Sequence, residues 1–169
     1  MEHYDPTAIE AAHAVLIDAL MVLGRYAEQL VIIGGWVPEL TFPHQGHLGS
    51  LDVDLAIDAE RIGIDTAYTT IRHLLLAAGY RTTDLPNRFT RTVTRGGKEL
   101  PVTRDLITGD RAAAAAPNRP RLVQDMPVAN LRGVDLAFDF VQRLEITGTL
   151  PEGGNNTVYA RMCDARAFL

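Results

Sequence analysis

A single cysteine, Cys163, stands among the 169 residues, and this excludes an internal disulfide and a cysteine-built zinc site. Of the five histidines, His44 and His47 form the one close pair. They flank Gln45 and Gly46 in a stretch that reads as loop, without the fixed helical presentation of a zinc pair. No apolar run approaches the ~20 residues needed to span a bilayer, so no membrane partner is expected. The start, residues 1–6, is acidic and polar and lacks the basic and apolar regions of a secretory signal, so a cytoplasmic location is expected. Bases are scarce in the first third: residues 1–60 hold ten acids against Arg25 alone.

What is present is an ordinary globular composition, 47% hydrophobic and 22% charged, in a chain long enough for one packed domain and short for two. The formal net charge of −5 argues against a general nucleic-acid coat protein. Yet residues 81–121 reverse the early imbalance, with nine bases against four acids. Two readings are open: solvated loops and strand edges, or a phosphate-facing surface.

Residues 7–23 carry Ile9, Ala12, Leu16, Leu20 and Leu23 at helical spacing, with Asp5 and Pro6 as a start signal and Gly24 as a stop. This predicts an amphipathic helix. Residues 30–33 are apolar and β-branched before Gly34 and Gly35, which suits a buried strand ending in a tight turn, and Pro38 suits a first helical turn. Alternation over residues 51–57 predicts a second strand, and residues 66–78 a helix stopped by Gly79. Residues 88–94 and 99–107 predict a hairpin about Gly96 and Gly97. Residues 110–120, with five consecutive alanines and two prolines, read as an irregular connection. Residues 122–146 resist assignment. A strand over 158–162 follows a turn at residues 153–156, and residues 165–169 read as the first turn of a helix.

Side chains two apart on a strand share a face, so Asp52 and Asp54 point one way while Val53 and Leu55 point into the core. Two carboxylates that close repel, and a hard divalent cation relieves them; magnesium or manganese is the natural candidate. A solvated strand face would alternate in the same way. Context favours the metal. Gly34 and Gly35 would let a phosphate approach the backbone, and Ser50, just before the carboxylates, could donate its hydroxyl to a phosphate oxygen. The plain alternative for the glycine pair is a tight turn.

An apolar strand, Val31-Ile32-Ile33, then Gly34-Gly35-Trp36-Val37-Pro38-Glu39, then Gly49-Ser50-Leu51-Asp52-Val53-Asp54-Leu55 resembles the nucleotidyltransferase superfamily, and most of all the bacterial AbiEii-type nucleotidyltransferases. The resemblance implies an α+β nucleotidyltransferase fold, a mixed β-sheet flanked by helices, as a single domain over residues 1–169. It implies transfer of a nucleoside monophosphate from a nucleoside triphosphate to a hydroxyl acceptor, an RNA 3′ end or a protein. Relatives are toxins of abortive-infection and toxin-antitoxin systems, which adds an antitoxin protein as an expected partner. The family's third carboxylate falls on Asp105, as metal ligand or as base for the attacking hydroxyl. Arg104 departs from the apolar residue that relatives more often carry, and Asp105 is also open to a structural ion pair with it. Family members continue past this point with a helical region, so a shortened chain is expected, and with it a second reading: a catalytically inactive nucleotide- or partner-binding module of the same fold.

Overall fold

The computed structural model describes residues 5–43, 45, 47, 49–64, 70–109 and 119–168. Pro6–Val22 forms α1, entered through Asp5, whose carboxylate accepts from the Thr7 amide while Pro6 takes the first-turn position. A 3₁₀ turn over Gly24–Gln29 leads to β1, Leu30–Ile33. Then come α2 (Trp36–Thr41), β2 (Asp52–Ile57) and α3 (Ala59–Ile64). The chain continues through α4 (Ile71–Ala77), β3 (Arg81–Thr82), β4 (Arg88–Arg95) and β5 (Lys98–Thr108). It ends with β6 (Arg121–Val123), β7 (Met126–Asn130), α5 (Leu136–Asp139), β8 (Val141–Thr149), β9 (Asn155–Cys163) and α6 (Ala165–Phe168).

The strands form one mixed sheet in the order β3-β4-β5-β2-β1-β9-β8, with β7 joining β5 and β6 joining β7. Neighbours β2/β5, β1/β9 and β5/β7 run parallel; β1/β2, β4/β5 and β8/β9 run antiparallel. This is an α+β architecture, an open mixed sheet flanked by helices. No helix among the described residues is long and apolar enough to cross a membrane.

One face of the sheet carries Val53, Leu55 and Ile57 of β2, Phe89 and Val93 of β4, and Val102 and Leu106 of β5, all buried. It packs on α1, which touches β2, β4, β5, β8 and β9. The expected amphipathic helix is buried more widely than its stripe required: Ala11, Ala12, Ala14, Val15, Leu16, Ile17 and Ala19 are all enclosed. Two hairpins from opposite ends of the strand order, β4/β5 and β8/β9, both contact the helix. Their tips meet where the Arg91 guanidinium pairs with Glu152 at 2.7 Å and Arg95 donates to the Leu150 and Pro151 carbonyls at 2.8 and 3.2 Å.

The β4/β5 hairpin turns on Gly96 and Gly97, whose φ values of +57° and +77° are the left-handed pair that a two-residue turn between twisted strands requires. Other expectations shift. Thr70 has extended backbone and caps α4 through a hydrogen bond from the His73 amide, so a helix cannot run through it from residue 66; residues 65–69 lie outside the described residues. The unassigned residues 122–146 hold β6, β7, α5 and most of β8, elements too short for periodicity to reveal. Strand β9 begins at Asn155, leaving Gly153 and Gly154 as the turn. His44 and residues 110–118 of the expected irregular connection also lie outside the described residues.

Candidate functional site

Strand β2 turns Val53 and Leu55 inward with no exposure, so Asp52 and Asp54 share the opposite face. Strand β5 lies beside it in parallel register, with Asp54 opposite Asp105 and Asp52 opposite Thr103. Asp105 therefore joins the same face, and a single strand pairing places the three carboxylates of the sequence reading on one side of the sheet. On the other side of β2, Ile33 at the end of β1 pairs with Asp54, so the Gly34 turn lands beside its carboxylate.

That turn has little room. Gly34 has φ +73°, and a Cβ built on it would collide with Asp54 Oδ2. Gly35 is helical in conformation, and its constraint is contact: a Cβ there would meet Ser50 Cβ and Oγ at 2.8 and 2.9 Å. Ser50 Oγ accepts from the Asp52 amide at 3.3 Å, a partner the sequence reading did not give it. Trp36, buried at the start of α2, donates its indole N–H to the Asp52 carbonyl at 3.0 Å. Gly49, φ +83°, lies against the same indole, where a Cβ would come within 2.7 Å. Backbone, serine and tryptophan thus hold the approach to β2 in one conformation.

The charges are uneven. Burial raises the Asp54 pKa from 3.8 to about 6, with Asp105 and then Asp52 adding to the rise and Arg88 opposing it. Asp105 is gripped by Arg88 through both oxygens, Nε to Oδ1 at 2.8 Å and a terminal nitrogen to Oδ2 at 2.7 Å. That pairing lifts the Arg88 pKa above its ordinary value. Among the described residues no three metal-ligating side chains converge as a ready site. The donor set nevertheless fits a hard divalent ion at Asp52 and Asp54: two oxygen-bearing groups on one face, one of them ionising reluctantly because it is buried and its neighbours are negative.

Arg104 does not pair with Asp105. Consecutive strand residues face opposite ways, so Arg104 enters the core that an apolar residue would otherwise fill. It is fully buried between the rings of Tyr80 and Phe89, 5.3 and 5.4 Å from their centroids, and its three guanidinium nitrogens have no hydrogen-bond partner among the described residues. Burial lowers its pKa to about 10. The basic excess of residues 81–121 is divided in the same way. Arg88 is on the carboxylate face, whereas Arg91 turns to the Ala78 carbonyl and the Tyr80 ring and Arg95 to the β8/β9 turn.

Arg88 is the residue sequence reasoning missed as the partner of Asp105, and its signal was present. A two-residue turn at Gly96 and Gly97 fixes the register, and counting outward from Arg95 and Lys98 reaches Arg88 and Asp105. No family model, curated protein or solved structure matches the chain.

Proposed function

We propose that this chain has a nucleotidyltransferase fold and transfers a nucleoside monophosphate from a nucleoside triphosphate to a hydroxyl acceptor. The observation that carries the reading is the β2/β5 register, which sets Asp52, Asp54 and Asp105 on one face with the Gly34 turn against Asp54. Asp52 and Asp54 would hold magnesium or manganese, which when bound supplies positive charge to the phosphate oxygens. The chain's own residues do the rest. Gly34 lets the turn close against the Asp54 carboxylate, so that a phosphate held by the ion would lie beside the turn, and Ser50 braces the strand entry. The acceptor oxygen bonds to the α-phosphorus as its bond to pyrophosphate breaks, and the hydroxyl proton passes to Asp105 once Arg88 turns from that carboxylate to the incoming phosphates. Of Arg88, Arg91 and Arg95 on β4, only Arg88 faces the carboxylates, which favours an acceptor held at few phosphates; a protein hydroxyl needs no basic stripe. Either acceptor suits a toxin restrained by an antitoxin protein.

A second reading has its own observation. With both Asp105 oxygens held by Arg88, a chain that never releases that pair would bind nucleotide without turning it over. Calorimetric titration with each nucleoside triphosphate in magnesium, beside a pyrophosphate-release assay on RNA and protein acceptors, separates the two. Binding with release supports transfer, and binding alone supports the module. Equal nucleotide affinity in wild type and Asp54→Asn sinks both.

A further inference from the structure

Away from the carboxylates, a groove of about 660 Å³ runs between the first half of α1, the α2 helix and strand β8. Six consecutive β8 residues, 144–149, line it. Side chains of a strand alternate between faces, so a surface touched by all six includes the strand's backbone edge. Strand β8 ends the sheet order, and its one strand partner among the described residues is β9. Its other edge therefore offers a row of backbone donors and acceptors to whatever enters the groove. The opposite wall is apolar where Ile9 and Leu40 contribute, giving a helix-and-edge cleft of the kind that takes an extended peptide as an added strand.

Charge selects the occupant. Glu10, Glu39 and Glu145 all reach the groove. Glu39 has one buried carboxylate oxygen, Oε2, with no hydrogen-bond partner among the described residues. Glu145 is exposed and accepts from the Tyr159 hydroxyl on the strand face turned away from α1, so the acidic lining rests on Glu10 and Glu39. Among the described residues one arginine, Arg95, lines the groove, and it donates to the Thr94, Leu150 and Pro151 carbonyls. His13 is neutral near neutral pH, since burial lowers its pKa while Glu39 opposes the fall. The lining is thus apolar with an acidic excess.

We infer that this groove is a docking site for an extended, lysine- or arginine-bearing segment of a partner protein, which pairs its backbone with the free edge of β8 and sets its basic side chains against Glu10 and Glu39. The site is independent of the transferase reading, because none of the three aspartates lines it. The probe is a capped peptide of alternating valine and lysine, titrated into the isotope-labelled chain and followed by amide chemical shifts. Shifts should concentrate at residues 144–149. Glu10→Lys, an exposed change, should weaken binding about fivefold. A peptide methylated at alternate backbone nitrogens should lose it. Binding that survives methylation would show a side-chain pocket rather than strand addition and overturns the proposal. So does equal affinity for a valine-glutamate peptide, or no shift at millimolar probe.

Discussion

Replacing Asp54 with Asn removes a charge and keeps the shape, so it isolates what ionising this carboxylate does to the fold. In the folded chain its pKa is raised from 3.8 to about 6. Across roughly pH 4 to 6 the unfolded chain has released a proton that the folded chain still holds, so stability falls as pH rises through that window and stays low above it. At about 1.4 kcal/mol per pH unit the full displacement is worth about 3 kcal/mol. Asp54 is only partly buried, and solvent screening reduces this to about 1–1.5 kcal/mol. For a chain of this size that is a rise of about 3–5 °C in melting temperature for Asp54→Asn near pH 8, shrinking to nothing below about pH 4. The assay is thermal unfolding by circular dichroism in chelator at several pH values. Magnesium added near pH 8 should then stabilise wild type and leave Asp54→Asn unmoved, because an ion bound to the native state alone raises stability by mass action. A variant no more stable than wild type near pH 8, or a gain that persists unchanged in acid, refutes the account of a strained carboxylate cluster.

Gly34→Ala combines a φ of +73° with a collision at Asp54, so it should destabilise by about 1–3 kcal/mol and weaken magnesium binding; unchanged ion affinity in the folded variant would detach the turn from the site. Arg88→Gln leaves Asp105 without its cation, and the three carboxylates should then bind manganese more tightly while the ion-free chain melts earlier; a fall in affinity would mean that Arg88 organises the site rather than shielding it. Arg104→Met replaces a buried, unpartnered cation by an apolar chain of similar length. Desolvating a charge costs several kcal/mol and two ring contacts return about 2 kcal/mol each at best, so the variant should gain about 1–2 kcal/mol in denaturant unfolding, and a marked loss would reveal a hidden partner.

The carboxylate pair was legible because it depends on one strand. Alternation alone puts Asp52 and Asp54 on a common face, and the glycines at 34, 96 and 97 mark turns whose backbone angles other residues avoid. Residues 30–33 and the α1 stripe were likewise local patterns read at their own period. Tertiary structure decided what no single element contains. Asp54 and Asp105 are separated by α3, α4, β3 and β4 in the chain, and only the parallel β2/β5 pairing makes them neighbours. The fate of Arg104 turned on which face of β5 meets α1, and that of Arg91 and Arg95 on the meeting of two hairpins distant in the chain. Short elements such as β6, β7 and α5 hold too few residues for a period to show; they exist because the sheet offers them a neighbour. Local sequence sets which way a side chain points within its own element, and long-range pairing sets what it points at.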